Sequence, residues 1–115
     1  MRFGERVRQL RQERDLTQRQ LSAMLDVTFT YISKVENGKL HHGDYPSEAF
    51  ILNFAEVLDC DSDELLLLAG KVPPQIRQRI FERPEVFQLV ASLDDRAMDQ
   101  LIERSPSRPK SRSAK

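Results

Sequence analysis

The chain has 115 residues, of which 39% are hydrophobic, and its 18 basic and 18 acidic residues give a formal net charge of zero. This length supports one compact domain with an appendage and excludes two domains of ordinary size. No apolar run is long enough to span a membrane, the N-terminus lacks the apolar segment of a secretory signal, and the only cysteine excludes an intrachain disulfide, so we expect a cytoplasmic protein.

The first predicted helix covers residues 3–13, where Phe3, Val7 and Leu10 recur at helical spacing. The next stretch, from Leu16 to Gly38, predicts two short helices that share a core across a tight turn. The apolar residues at suitable spacings in this stretch are Leu21, Leu25, Val27, Ile32 and Val35.

Local signals predict where the first of these two short helices begins and ends. Thr17 can cap its start, and Gln20, three residues later, can return a hydrogen bond to the Thr17 backbone. Ser22 provides the small side chain that two closely crossing helices need. Asp26 suits the turn, because Asp tolerates the left-handed conformation better than most residues. The sequence therefore predicts a helix bounded by a capping box and a tight turn.

The second short helix is predicted to run from its cap Thr28 to Glu36 and to end at Asn37-Gly38. Its inward apolar positions leave Phe29, Thr30, Ser33 and Lys34 toward the other side. This layout is typical of a helix-turn-helix unit, which places its second helix in the major groove of DNA. Lys34 can donate to guanine, Thr30 and Ser33 can pair with several base edges, and Phe29 can press on a thymine methyl. A solvated helix face with Phe29 partly buried is the alternative.

Further residues resemble the phage-repressor-like, Cro/C1-type helix-turn-helix regulators, also called the xenobiotic-response-element class. The resemblance covers about residues 3–69, and the matching residues are Arg11, Leu16-Thr17-Gln18, Leu21, Ile32-Ser33 and Glu36-Asn37-Gly38-Lys39. It implies an all-α fold with a five-helix, lambda-repressor-like domain that binds DNA as a dimer. It also implies a largely buried ion pair between Arg11 and Glu36, which would orient the helices more than it would stabilise them.

The resemblance also implies which residues contact DNA. Base contacts fall on Phe29, Thr30 and Lys34, and phosphate contacts fall on Gln18, Asn37 and Lys39. Position alone also favours Gln18, because an amide in the first turn of a helix can point outward to a phosphate oxygen. The sequence departs from the family at Asp26, where Gly is frequent, at Ser22, where Ala is common, and in the loop 40–46, which is longer than in the shortest members.

The charge is unevenly distributed along the chain. Residues 1–38 hold seven basic and five acidic residues, residues 39–70 hold one basic and seven acidic, residues 71–104 hold six of each, and residues 105–115 hold four basic and no acidic residues. Because phosphate attraction supplies most non-specific affinity for DNA, we expect the acidic segment to turn away from the duplex. The arginines of the first helix that we expect near the DNA backbone are Arg2, Arg6 and Arg8.

A fourth helix is predicted after Pro46-Ser47 and ends at Leu58, and a fifth is predicted from Asp63 to Ala69, before Gly70. The residues expected to be buried in the fourth helix are Phe50, Ile51, Phe54, Val57 and Leu58. These two helices complete a DNA-binding domain over residues 1–70.

Prolines at positions 73 and 74 favour a boundary near residue 71, followed by a helical extension over residues 71–104. Three groups of apolar residues mark three short helices: Ile76, Ile80 and Phe81; Val86, Phe87, Leu89, Val90 and Leu93; Ala97, Met98, Leu101 and Ile102. About thirty residues cannot build much of a core alone, so this surface packs either on the preceding domain or on a second subunit, and we favour a dimer interface. Residues 105–115 are predicted to be a disordered basic tail.

Enzymatic function is not expected. His41 and His42 lie near Asp44 but have no further His or Cys at ligand spacing, and Cys60 is predicted to be buried. Glycine-rich phosphate loops and nucleophile motifs are absent from the sequence. We therefore predict no catalytic residue, no metal and no cofactor, and the sequence identifies no pocket for a small-molecule effector.

The sequence predicts a sequence-specific DNA-binding transcriptional regulator, in the form of a dimeric repressor that reads a near-palindromic operator through the helix Thr28–Glu36. Its expected partners are double-stranded DNA and a second copy of the chain, without a membrane. Alternatives within the class are a controller of a restriction-modification operon and an autoregulating antitoxin. An alternative from another class is a protein-interaction adaptor that has lost DNA binding.

Overall fold

The computed structural model describes residues 1–41 and 45–105. Eight α-helices and no strand lie within these ranges, in two compact units: Met1–Lys71, and a second that begins at Val72. The first unit contains five helices, which are α1 (Phe3–Glu13), α2 (Gln18–Leu25), α3 (Phe29–Glu36), α4 (Glu48–Leu58) and α5 (Ser62–Leu68). The predicted all-α class with a five-helix domain followed by a helical extension is confirmed.

Local capping explains where these helices begin. Thr17 Oγ1 accepts a hydrogen bond from the Gln20 N–H, and Gln20 Oε1 accepts one from the Thr17 N–H, so the predicted capping box is present. Asp26 ends α2 in the left-handed conformation, with φ of 57°. The prediction for α5 was one residue late at both ends, because Asp61 caps that helix by accepting from the Asp63 N–H.

The core of the first unit collects side chains from all five helices. The hydrophobic residues with no exposed surface are Val7, Leu21, Ile32, Ile51, Phe54, Leu58 and Leu65. Phe54 also makes edge-to-face contacts with Phe3 and Phe50, at centroid distances of 6.0 and 5.0 Å. Phe50 and Val57 were predicted to be buried, but they are only partly buried and pack against the edge of this core. Burial of each fully buried hydrophobic side chain stabilises the fold by about 1.5–3 kcal/mol.

Cys60 lies at the edge of this core and is buried, as predicted. Burial raises the pKa of its thiol to about 11, since the surroundings disfavour a thiolate. The reactive form of cysteine is therefore scarce near neutral pH, which fits a packing role better than a redox role.

Gly4 sets how closely α1 approaches the end of α3. A Cβ atom at this position would collide with the Val35 carbonyl oxygen and lie 3.2 Å from the Glu36 Cα. Gly4 is buried, so the neighbouring backbone occupies the space that any larger side chain would need.

The second unit contains α6 (Pro74–Glu82), α7 (Pro84–Ser92) and α8 (Asp95–Arg104). Proline is the first residue of α6 and of α7, a position where its missing N–H costs nothing. These three helices contain no buried residue. Their most exposed large hydrophobic residues are Phe81, Leu89, Leu101 and Ile102. The predicted tail lies outside the described residues beyond Ser105.

None of the helices that the structure describes combines the length and the apolar character needed to cross a bilayer. The described ranges also hold no group of three His, Cys, Asp or Glu side chains that could bind a metal ion. His42 and Asp44, which belong to the histidine cluster considered from the sequence, lie outside those ranges.

Candidate nucleic-acid interface

The helix α3 has one face in the core and one face in solvent. Ile32, Val35 and Glu36 are buried, whereas Thr30 and Lys34 are exposed. The predicted base contacts Phe29 and Ser33 border the exposed pair, with Phe29 39% exposed and Ser33 partly buried. The structure therefore leaves all four predicted base contacts at least partly accessible along a helix whose opposite face is fixed.

The buried carboxylate of Glu36 joins three helices. Arg11 of α1 donates from Nε to Oε2 over 2.7 Å and from Nη2 to Oε1 over 2.9 Å, which forms the ion pair that the resemblance implied. Gln18 of α2 donates from Nε2 to Oε1 over 3.0 Å, and Arg8 of α1 donates to the same oxygen over 3.4 Å. We call these four residues the Glu36 cluster.

Burial and hydrogen bonding act in opposite directions on Glu36. Burial of the carboxyl group raises its pKa, but hydrogen bonds from Arg11 and Gln18 and the charge of Arg11 lower it further than burial raises it. The net pKa lies below the ordinary value of 4.5, so Glu36 is ionised at neutral pH. A charged Glu36 carboxylate at the C-terminal end of α3 therefore accepts hydrogen bonds from both α1 and α2.

Two of the three predicted phosphate contacts already have partners within the protein. The Gln18 amide does not simply point outward, because its Nε2 donates to Glu36. Asn37 accepts from Arg8 Nη2 over 2.7 Å and donates to the Ser33 carbonyl over 2.9 Å. Lys39 is exposed and follows the end of α3, where its N–H donates to the Lys34 carbonyl.

The arginines of α1 are also less available than the sequence predicts. Arg6 donates to Glu64 over 3.1 Å, and Arg8 is shared between Glu36 and Asn37. Arg2 has no such acceptor in the ranges that the structure describes. Sequence reasoning placed all three on the polar sides of a helix, but it could not tell which carboxylates the fold brings to them.

Arg19 is a residue of this surface that sequence reasoning missed. Its guanidinium carbon lies 4.7 Å from the centroid of the Phe29 ring, within the range of a cation–π contact. Both residues line an open groove that also includes Thr17 and Gln18. A signal was present in the sequence, since Arg19 lies one residue from Gln18, but the pairing of α2 with the first residue of α3 requires the fold.

Comparison with known proteins finds helix-turn-helix regulators similar to this chain. The helix-turn-helix family matches residues 7–65. The chain is 34% identical over 95 residues to the HTH-type transcriptional repressor RghR of Bacillus subtilis (strain 168), covering 76% of this chain and 68% of that protein. It is 31% identical over 102 residues to the uncharacterized HTH-type transcriptional regulator RghRB of the same organism, covering 86% and 71%.

A solved structure, the SinR protein/SinI protein complex, superposes with a TM-score of 0.49 at 18% identity, covering 88% of this chain and 91% of that one. The family match spans α2, α3 and the Glu36 cluster, so it includes the surface described above. Regulators of this family are not a class of enzymes. The chain belongs to the helix-turn-helix family of Cro/C1-type, DNA-binding transcriptional regulators.

Proposed function

We propose that this regulator is a dimeric repressor that reads a near-palindromic operator through α3. The observation that carries the proposal is the division of α3 into a fixed face and an open one. Val35 and Glu36 hold the helix, and Thr30 and Lys34 are exposed to solvent. Side chains fixed on a rigid helix can match base edges without a large ordering cost on binding.

Phe29, Thr30, Ser33 and Lys34 are the proposed base contacts. Lys34 donates to guanine O6 or N7, the hydroxyl groups of Thr30 and Ser33 pair with base edges, and Phe29 contacts a thymine methyl. The Ser33 hydroxyl accepts a hydrogen bond from Asn37 Nδ2 over 3.3 Å, so its position is partly fixed before it pairs with a base.

Gln18, Asn37 and Lys39 are the proposed phosphate contacts. Lys39 is exposed and supplies a full positive charge. A primary amide has two N–H groups, and the Gln18 bond to Glu36 uses one of them, so the other can reach a phosphate oxygen. In this arrangement the carboxylate orients the amide before DNA arrives.

Dimerisation is proposed to use residues 71–104, the helical extension that follows the DNA-binding domain of residues 1–70. Its helices expose Phe81 by 73% and Leu89 by 62%, and we infer that these side chains belong to an apolar contact surface. Two copies would place two recognition helices about 34 Å apart on one face of a duplex, which gives far higher affinity than one helix. The relative RghR is a repressor by name, which supports repression as the direction of control.

Selection of bound sequences from a random duplex pool, with the number of bound chains recorded, tests the proposal. We expect an enriched near-palindrome that holds two chains. An enriched site without two-fold symmetry, bound by one chain, would contradict the dimer. Absence of enrichment with folded protein would contradict sequence-specific binding. A reporter gene with the selected site inside its promoter then tests repression, and increased expression would contradict that part.

A further inference from the structure

We propose that Arg19 contacts a DNA phosphate and that Phe29 positions it by stacking against its guanidinium group. This inference rests on the proposed function, and it adds a residue to the interface as well as a second role for Phe29. The observation behind it is the 4.7 Å separation between the Arg19 guanidinium carbon and the Phe29 ring centroid.

Four other arginines of the first unit already have acceptors within the protein. Arg6 donates to Glu64, Arg8 and Arg11 donate to Glu36, and Arg14 donates to the Asp59 carbonyl. Arg19 has no carboxylate or hydrogen-bond acceptor within residues 1–41 and 45–105, and its side chain is exposed. Its guanidinium group therefore forms no ion pair with the described residues, although Asp15 lines the same groove.

Stacking on Phe29 holds the guanidinium group without using its hydrogen bonds. A cation–π contact uses none of the guanidinium N–H groups as hydrogen-bond donors, so all five remain available. An unsupported arginine on a surface loses much rotational freedom when it binds, whereas a stacked one has already lost part of it. Phe29 is the first residue of α3, so the stack ties this donor to the start of the recognition helix.

Phosphate is a better match for Arg19 than a base. Arg19 belongs to α2, and in helix-turn-helix proteins the helix before the recognition helix crosses the DNA backbone. A planar guanidinium group pairs well with two phosphate oxygens at once. Gln18, the adjacent residue, is a proposed phosphate contact on the same turn of α2, so both residues can follow one strand.

The test measures the affinity of the full chain for its selected duplex as a function of salt concentration. Arg19→Ala is expected to lower the slope of log K against log salt by about 0.9 for each bound chain. Its affinity should fall by about tenfold or more, because a hydrogen bond to a charged group is among the stronger ones. The loss should be the same on duplexes with changed base pairs. Arg19→Lys should restore the slope but only part of the affinity.

Phe29→Leu tests the positioning role. Combined with Arg19→Ala, it should cost less than the sum of the two separate losses, because Phe29 acts partly through Arg19. Arg6→Gln is the matched control, since Glu64 already neutralises that arginine, and it should leave the salt slope almost unchanged. Thermal unfolding followed by circular dichroism checks that each variant is folded.

Three results would overturn this inference while the proposed function stands. They are an unchanged salt slope for Arg19→Ala, a loss confined to one base pair, and strictly additive losses for Arg19→Ala and Phe29→Leu. Failure of the wild-type chain to select any duplex would instead overturn the proposed function and this inference together.

Discussion

Glu36 shows how one residue can organise a binding surface. Its carboxylate accepts from Arg8 and Arg11 of α1 and from Gln18 of α2, and its own helix carries the proposed base contacts. A buried ion pair contributes little net stability, because desolvation of both charges offsets their attraction, but loss of one partner leaves the other charge buried and unpaired. The main effect of this carboxylate is therefore to orient α1, α2 and α3 relative to one another.

Glu36→Gln should lower the free energy of unfolding by about 3–5 kcal/mol at pH 7. The pKa of Glu36 is lowered in the folded chain, so its contribution is complete above the ordinary value of 4.5 and is lost as the pH falls through the folded value. The difference between wild type and variant should therefore stay constant from pH 7 down to about 4.5 and shrink as the pH falls further. Denaturant unfolding at several pH values measures it.

Glu64→Gln is the matched control for that measurement. Its carboxylate also pairs with an arginine of α1, but the side chain is 41% exposed, so its removal should cost no more than about 1 kcal/mol. A Glu36→Gln deficit that stays constant with pH would show that the carboxylate charge is not what holds the three helices.

At the scale of the element, α3 is defined by how other helices approach it. Gly4 brings the backbone of α1 against Val35 and Glu36, and the Glu36 cluster ties the same end of α3 to α2. These contacts fix the position of α3, and in the proposed function its exposed side determines what it binds. A disturbance at the α1 contact should therefore lower both stability and affinity, whereas one on the exposed side should lower affinity alone.

Gly4→Ala should lower the free energy of unfolding by about 1–3 kcal/mol or more, because the added methyl group collides with the Val35 carbonyl oxygen. Denaturant unfolding compares this variant with Gln12→Ala, which changes an exposed residue of α1 and should be nearly neutral. Equal stabilities for the two variants would mean that the helices can separate without cost.

Lys34→Ala and Lys39→Ala should separate base reading from phosphate binding. Lys34→Ala should cost about 1–3 kcal/mol of discrimination at one base pair, whereas Lys39→Ala should weaken binding to all duplexes evenly. Lys39 is a cleaner comparison than Gln18, whose amide also supports Glu36. Affinities for a set of singly substituted duplexes measure both, and equal, sequence-independent losses would contradict the division of roles.

At the scale of the whole molecule, the two units differ in how they use their apolar residues. The first unit buries large side chains such as Phe54 and Leu58 completely. The helices α6–α8 bury none, and residues 71–104 carry equal numbers of basic and acidic side chains. An apolar surface among balanced charges is suited to a second copy of itself, since each charge on one copy can meet its opposite on the other.

Phe81→Glu combined with Leu89→Glu should convert the proposed dimer to a monomer. Both side chains are mostly exposed within one chain, so the change should disturb the interface far more than the fold of the first unit. Sedimentation equilibrium should report the smaller species, and the affinity for the selected operator should fall. Gln88→Glu adds charge to α7 without removing apolar surface and should remain dimeric. A double variant that still dimerises would place the interface elsewhere.

The helices were predictable because their signals are local. Thr17 with Gln20, and Asp26 at a left-handed position, specify the start and end of α2 within a few residues of sequence. The resemblance implied the pair of Arg11 with Glu36, but the other distant pairings were not predictable, since Arg6 and Arg8 look alike on a helical pattern and only the fold assigns Glu64 to one and Glu36 to the other. The contact of Arg19 with Phe29 and the close approach at Gly4 depend on the same long-range geometry.

The division of α3 has a consequence for how such regulators can diversify. Ile32, Val35 and Glu36 hold the helix, while Thr30 and Lys34 lie on a side that no core contact constrains. In the proposed function, substitutions on that side would change the preferred operator without a matching change in the core. The product of a duplicated gene could thus acquire a new target through a few surface substitutions and still fold. The exposed residues of α3 are for the same reason suitable positions for redesigning specificity.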